Sequence, residues 1–176
     1  MKALRNAMIA TLIALHFILD PRRAGFSAAS PFHTHITYIF AHAGILHLSA
    51  NLMALTLTWR ILARLDIIKE TLITSVISAI LASFISFSPL SGGPPEAVTA
   101  GFSGVVYAML AAPLSGVLAK RLKITDRRLF VKTYACIAAA TAVQFLIPGI
   151  NIAIHLASFT VNAILLFACY KIKRSR

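Results

Sequence analysis

Long runs of hydrophobic residues, separated by short polar or basic stretches, make up most of this chain. A bilayer core about 30 Å thick requires roughly 17–25 helical residues to cross it. Six runs approach or reach that length: residues 3–19, 47–65, 71–87, 102–118, 129–147 and 150–170. None alternates as a strand would, and an unpaired sheet edge cannot face lipid. The pattern predicts an all-α membrane protein, a six-transmembrane-helix bundle in a single domain of residues 1–176.

Basic residues lie at the ends of the hydrophobic runs and predict an orientation for the bundle. With six crossings, fifteen of the 17 Lys and Arg residues fall on one side, and only Arg22 and Arg23 fall on the other. Because an excess of Lys and Arg marks cytoplasmic loops, both termini are predicted to be cytoplasmic. The first run also resembles a signal peptide. An uncleaved span is preferred, because the small residues at 27–30 lie too far downstream for a good cleavage site.

Composition supports membrane insertion and argues against nucleic acid as a partner. The chain is 59% hydrophobic and 12% charged, whereas soluble domains carry about 25% charged residues. The net charge of +12 comes from residues that flank the spans, where they are expected to contact membrane lipid headgroups. Cys136 and Cys169 lie in apolar runs without the spacing of a disulfide framework or metal site. They are expected to be buried free thiols.

The predicted outer connections differ from one another in character. Residues 20–41 mix aromatic and polar side chains without a run long enough to span, so this loop is expected to lie half-immersed at the interface. Residues 88–100 contain three prolines and two glycines, which cannot be helical throughout and lead irregular backbone into the fourth span. Pro148 and Gly149 predict a tight turn before the sixth span.

Four polar side chains from three predicted spans fall in one layer near the outer surface. Ser103 begins the fourth span, and His47 and Asn51 lie one turn apart on one face of the second. His155 lies seven residues beyond Pro148, which places it roughly 10 Å below the outer surface. Polar side chains at such a depth generally face a bundle interior or a water-filled cavity. This layer is therefore the candidate functional site.

The chemistry that these side chains permit is acyl transfer. Ser103 would attack a peptide carbonyl once His155 takes its proton. His47, the Asn51 amide and the Ser103 N–H would stabilise the developing oxyanion. No carboxylate is left to complete a triad, because all five acidic residues lie in connections. A Ser–His dyad without metal or cofactor is predicted.

Three neighbouring residues are predicted to support this chemistry. Gly101 and Gly104 would permit a strained backbone and a close helix approach that a Cβ would obstruct. Tyr107, one turn below Ser103, would pack against the imidazole of His155 and hold its orientation. Packing within the core alone would explain the presence of Tyr107 at this position equally well.

These residues resemble the rhomboid family of intramembrane serine proteases. The shared pattern is His42-x4-His47-x3-Asn51 in the second span, Gly101-x-Ser103-Gly104 followed by Tyr107 in the fourth, and His155 in the sixth. The resemblance implies that Ser103 is the nucleophile, that His155 is the base, and that His47, Asn51 and Gly101 form the oxyanion site.

The same resemblance implies a substrate class and a location. Single-pass transmembrane proteins would be cleaved near the outer face after entering between the second and fifth helices. Residues 20–41 would form the membrane-embedded loop of the family. The short chain is similar to the compact bacterial form, which implies a multi-pass protein of the bacterial inner membrane. The oligomeric state is not indicated.

Several positions depart from the family pattern. His33 and Thr34 stand where the family usually has a Trp-Arg pair, and residues 59–64 replace a Glu and Gly pattern at the end of the second helix. After the histidine of the sixth helix, Ser158 and Asn162 occupy positions where the family favours glycine. Because Asn162 is larger and polar, it is expected to affect how closely the fourth and sixth helices approach.

Two alternatives to the protease remain. A rhomboid-like protein that binds transmembrane clients without cleaving them would result if Asn162 kept Ser103 and His155 apart. A metal site is compatible with the histidine spacing around residues 33–47, although no His-Glu-x-x-His motif is present. Each polar residue taken singly also has a structural explanation, since serine often caps helices and buried amides often join membrane helices.

Overall fold

The computed structural model describes residues 1–27, 30–86, 98–124, 126–144 and 150–174. The described residues form these helices: α1 (Lys2–Ile18), α2 (Pro21–Ala24), α3 (Thr34–Thr37), α4 (Ile45–Arg64), α5 (Ile68–Ile85), α6 (Ser103–Leu118), α7 (Arg127–Gln144) and α8 (Ile152–Arg174). The prediction of an all-helical protein is confirmed for the described ranges, which contain one isolated β-bridge, between Phe26 and Thr99. Each of the six predicted runs coincides with one of the six longer helices.

Three of the helices are long and apolar enough to cross a membrane: α4, α5 and the part of α8 from Ile152 to Ile172. Helix α6 is also apolar but has 16 residues. Helix α7 carries three basic residues in its first half, which lowers its mean hydropathy. Because helices of such length and hydropathy are stable in a bilayer core, the chain is an integral membrane protein.

Helix α6 lies at the centre of the bundle, in contact with α4, α5 and α8. Small residues such as Ala108, Ala112 and Gly116 are fully or almost fully buried along it. In membranes, small residues allow neighbouring backbones to approach closely. Near the start of α6, Ser103 and Tyr107 are only partly buried, so the central helix is accessible from one side at that end.

The loop between α1 and α4 packs into the bundle more deeply than its composition suggested. Phe26, Tyr38 and Ile39 are at most 2% exposed, and α3 contacts α5. Phe32, in contrast, is 70% exposed. The half-immersed position expected for the whole loop therefore suits Phe32, while the three buried side chains belong to the protein core because the loop folds back over α5.

Cys136 and Cys169 are free, as expected, but the expectation that they are buried is wrong. Both thiols are exposed on the outer surfaces of α7 and α8. Those surfaces are apolar, and a thiol behaves as a small hydrophobic group that suits a lipid environment. The irregular segment predicted before the fourth span lies outside the described residues up to residue 97, as do the Pro148-Gly149 turn and the last residues of the third and fifth predicted runs.

Candidate active site

The structure brings Ser103 and His155 into direct contact. Ser103 is the first residue of α6, His155 lies in the first turn of α8, and Ser103 Oγ is 2.7 Å from His155 Nε2. The imidazole is 4% exposed, whereas the serine is half-buried. His155 Nδ1 has no hydrogen-bond partner among the described residues. With the proton on Nδ1, Nε2 accepts the hydrogen bond of the hydroxyl, which is the arrangement a general base requires.

Tyr107 lies one turn below Ser103 and stacks on the imidazole. The two rings are almost parallel, with centroids 4.4 Å apart and an interplanar angle of 2°. The Tyr107 hydroxyl forms a hydrogen bond with Thr141 Oγ1 of α7. One aromatic side chain thus holds the plane of the His155 ring and also links α6 to α7.

Gly101 and the two polar residues of α4 meet directly before Ser103. Gly101 has a φ of +135°, a conformation that residues with a Cβ rarely adopt. A Cβ at this position would lie 2.7 Å from His47 Cε1 and 3.4 Å from Asn51 Nδ2. The amide Nδ2 of Asn51 is buried and has no hydrogen-bond partner within the described ranges. A donor without a protein partner, next to Gly101, two residues along the chain from the nucleophile, suits an oxyanion site.

Backbone hydrogen bonds from the first loop fix the segment that leads into α6. The Gly101 N–H donates to Tyr38 O at 2.8 Å, and the Phe102 N–H donates to His42 Nε2 at 3.4 Å. Burial, and next the neighbouring His47, lower the pKa of His42 to about 4. His42 is therefore neutral near pH 7 and able to accept this hydrogen bond, which gives it an anchoring position.

A second set of hydrogen bonds ties the same segment to the start of α8. Thr99 and Phe26 exchange two backbone hydrogen bonds, of 2.8 and 3.0 Å. The Asn151 amide donates to Thr99 Oγ1 at 2.9 Å, and its carbonyl oxygen accepts from the Ile154 N–H at 3.2 Å. Asn151 therefore caps α8 and links the start of this helix to Thr99, in the segment that precedes Ser103.

Helices α6 and α8 approach closely at Gly104. A Cβ there would lie 3.2 Å from Ser158 Oγ and 3.6 Å from Ile154 Cγ1. Ser158 is fully buried, so a small residue is accommodated where the family favours glycine. Asn162 is also fully buried and donates to Ala108 O of α6 at 2.6 Å. Asn162 therefore bonds the two helices together, and the possibility that it separates Ser103 from His155 is not what the structure shows.

Three of the histidines considered for a metal site make separate contacts, His35 with α5 and His42 with His47. His35 Nδ1 is 2.8 Å from Ser83 Oγ of α5, and its ring stacks on Phe84. The rings of His42 and His47 meet edge to face, 5.4 Å apart. Of the described residues, no three His, Cys, Asp or Glu side chains are grouped as metal ligands would be.

Two residues that position the site were not identified from the sequence. Tyr38 acts through its backbone carbonyl, which any residue could supply, so the sequence does not indicate this role. Its hydroxyl also donates to Ala79 O of α5 at 2.8 Å. Asn151 could have been found, because an Asn just before a hydrophobic run is a helix N-cap signal.

Comparison with known families agrees with the motifs and the geometry. The family model described as the Rhomboid domain matches residues 29–172, a region that contains every residue of the candidate site. No curated protein sequence matches the chain. Since the matched region covers well over half of its length, the chain belongs to the rhomboid family, whose members are generally intramembrane serine proteases.

Proposed function

We propose that the chain is an intramembrane serine protease that cleaves single-pass transmembrane proteins near the outer face of the membrane. The observation that carries the proposal is the 2.7 Å contact between Ser103 Oγ and His155 Nε2. This contact lies at an accessible end of α6. Amide Nδ2 of Asn51, which has no partner within the described ranges, lies against Gly101, two residues before Ser103. A nucleophile, a base and a donor for the oxyanion thus lie together.

The reaction follows from these positions in two stages. His155 Nε2 takes the Ser103 proton as Oγ attacks the substrate carbonyl, and the negative charge forms beside Asn51, His47 and the Ser103 N–H. The imidazolium then gives its proton to the leaving amine. Water attacks the acyl-enzyme in the second stage, with His155 again as the base. Stacking on Tyr107 keeps the ring in one plane throughout.

The proposed topology has six crossings, by α1, α4, α5, α6, α7 and α8, in one domain with both termini in the cytoplasm. The ends of α6 and α8 that carry Ser103 and His155 lie away from the basic residues 120–123 and 171–174. Basic residues favour the cytoplasmic side, so the site opens toward the opposite side. The proposed location is the inner membrane of a bacterium, and the substrate would enter between α4 and α7.

The test is covalent labelling of purified, detergent-solubilised protein with a fluorophosphonate probe. Wild type is expected to be labelled, and Ser103→Ala and His155→Ala are expected not to be, because labelling requires an activated hydroxyl. Circular dichroism of each variant checks that the helices are intact. Separate, unlabelled wild-type protein would next be incubated with single-pass transmembrane substrates, and cleavage products identified by mass spectrometry.

The pair formed by Ser83 and His35 provides a matched control. Its hydroxyl and imidazole are also in contact, at 2.8 Å, but Ser83 is fully buried and no probe can reach it. Ser83→Ala is therefore expected to label like wild type. Folded wild-type protein that is not labelled would contradict the protease and favour the binding of transmembrane clients without cleavage.

A further inference from the structure

A buried amide joins α5, α6 and α8 two turns below the candidate base. Asn162 Nδ2 donates to Ala108 O of α6 at 2.6 Å and to Ser75 Oγ of α5 at 3.1 Å. Its Oδ1 accepts from Ser78 Oγ of α5 at 3.2 Å. Both hydrogens of the amide and its oxygen are therefore used. Because a buried amide without partners is costly in an apolar medium, this set of contacts strongly favours a single position of the side chain.

The same face of α8 carries Asn162 and the catalytic candidate. His155, Ser158 and Asn162 are spaced by three and four residues, which places them in one row along the helix. All three are buried, at 4%, 0% and 0% exposure. Seven residues separate Asn162 from His155, which corresponds to roughly 10 Å along the axis. The amide is too far away to touch a substrate at Ser103, so it can act only through the helices.

On α6, the acceptor of this hydrogen bond lies five residues after the nucleophile. Ala108 O can meet Asn162 Nδ2 only at one axial register of the two helices, since a shift of one residue moves a helix by about 1.5 Å. Ser115 Oγ donates to Ala163 O at 3.1 Å further down the same interface. Lipid supplies no hydrogen bonds to replace these contacts, so the register that forms them is favoured.

We propose that Asn162 is a positioning residue whose hydrogen bond to Ala108 O sets the axial register of α6 and α8, so that Ser103 Oγ meets His155 Nε2. The inference rests on the proposed protease function. The Ser78 hydroxyl orients the amide, because it donates to Oδ1 and thereby directs Nδ2 toward Ala108 O. At a position where the family favours glycine, this chain thus has a polar bond between the helices in place of close packing alone.

The test compares the rate of fluorophosphonate labelling of wild type, Asn162→Leu and Ser75→Ala. Leucine has the same branching and the same number of side-chain heavy atoms as asparagine but cannot donate to Ala108 O. Because a misplacement of about 1 Å can reduce rates by roughly 100-fold, Asn162→Leu is expected to label at least about 10-fold more slowly than wild type. Ser75→Ala keeps the bond to Ala108 O, and its rate is expected to stay within about threefold of wild type.

Two further measurements separate positioning from a general loss of stability. The rate is determined well below the melting temperature of each variant and is expressed per folded molecule, as measured by circular dichroism. With a cleavable transmembrane substrate, Asn162→Leu is expected to lower kcat with little change in KM, since the substrate-binding surfaces are untouched. Asn162→Asp is a second variant: burial disfavours the charged carboxylate, and the neutral carboxyl can again donate to Ala108 O, so its labelling rate is expected to exceed that of Asn162→Leu.

The possible results distinguish this inference from the proposed function. If wild type labels and Asn162→Leu labels equally fast per folded molecule, the positioning role is wrong while the protease stands. The positioning role would also be overturned if Asn162→Leu and Ser75→Ala both lost labelling rate in the same proportion to their loss of melting temperature. If folded wild type is not labelled, both the protease and the inference are overturned.

Discussion

At position 101 the chain requires a residue without a side chain for two separate reasons. The φ of +135° strains any residue that has a Cβ, and the Cβ itself would lie 2.7 Å from His47. We expect Gly101→Ala to lose about 1–3 kcal/mol of unfolding free energy and to abolish labelling by fluorophosphonate, because His47 and Asn51 must move. Thermal unfolding and labelling in detergent provide the measurement.

Gly44 supplies the control for that substitution. Its φ of 176° is extended backbone, and a Cβ there would meet no atom within 4 Å. Gly44→Ala should therefore unfold and label like wild type. Equal behaviour of the two alanine variants would contradict a special requirement at Gly101.

Three of the polar side chains in the candidate site, Ser103, His155 and Asn51, should differ in how much activity is lost when they are removed. Removal of one oxyanion donor typically costs about 10²–10³ in rate, so Asn51→Ala should retain slow cleavage while Ser103→Ala and His155→Ala retain none. Steady-state cleavage of a transmembrane substrate measures this order. Equal residual activity of the three variants would contradict the roles assigned to them.

Side-chain chemistry near the site could be predicted from the sequence, whereas backbone contributions could not. Ser103 and His155 were expected to meet because each is a polar residue in an apolar run, and the structure places them in contact. Tyr38 holds Gly101 through its backbone carbonyl. Every residue has such a carbonyl, so the residue type gives no sign of this role. Asn162 was recognised as unusual, but its effect depends on Ser75, Ser78 and Ala108, which come together only through the packing of three helices.

At the scale of the elements, α7 differs from the other long helices in how it is held. Of its described side chains, Thr133 and Ile137 are buried, and its links to α6 include hydrogen bonds from Tyr107 to Thr141 and from Tyr134 to Leu110 O. A helix with few buried apolar contacts opens at lower free energy than the bundle core. Its polar links to α6 are therefore expected to control its mobility.

The link at Thr141 can be removed without disturbing the stacked ring of Tyr107. Thr141→Val preserves the shape of the side chain but cannot bond the Tyr107 hydroxyl, so amide hydrogen exchange in α7 should accelerate while fluorophosphonate labelling stays within about threefold of wild type. Tyr107→Ala also removes the ring that supports His155 and should slow labelling at least about 10-fold. Unchanged exchange in Thr141→Val would show that the hydrogen bond between Tyr107 and Thr141 does not control the mobility of α7.

The start of α7 depends on Asp126, which makes two kinds of contact. Its Oδ1 accepts from the Leu129 N–H at 2.8 Å, as an N-cap does, and its carboxylate pairs with Arg64 at the end of α4. Asp126→Asn keeps the cap and should lose about 0–1 kcal/mol of unfolding free energy, since the pair is partly exposed. Asp126→Ala loses the cap as well, which adds about 1 kcal/mol. Thermal unfolding of these two variants and of Arg64→Ala separates the contribution of the cap from that of the ion pair.

Element boundaries were predictable because hydrophobic length is a strong signal. Each predicted run lies within four residues of the helix bounds wherever these are described. The position of the first loop was not predictable in the same way. Its composition suggested an interfacial segment, yet Phe26 and Tyr38 are 1% exposed, since Phe26 is bonded to Thr99 and Tyr38 to Ala79, both distant in sequence.

At the scale of the whole molecule, the proposed topology predicts which surfaces each side of the membrane can reach. In a variant with Cys136 and Cys169 replaced by alanine, a single cysteine at Arg23 should react with a membrane-impermeant maleimide in intact bacterial cells. A cysteine at Lys123 should react only after the membrane is opened, because the basic turn before α7 is proposed to be cytoplasmic. The reverse pattern of labelling would overturn the orientation, and with it the outer location of the site.

The amide network at the centre of the bundle has a consequence for exchanging parts between relatives. Asn162 forms hydrogen bonds with Ser75, Ser78 and the Ala108 carbonyl, so these residues constitute one compatible set rather than three independent choices. A chimaera that takes α8 from this chain and α5 from a relative with glycine-based packing would bury an amide that lacks the Ser75 acceptor and the Ser78 donor. Helices α5 and α8 should therefore be transplanted together, and evolutionary replacement of Asn162 should be accompanied by changes at both serines.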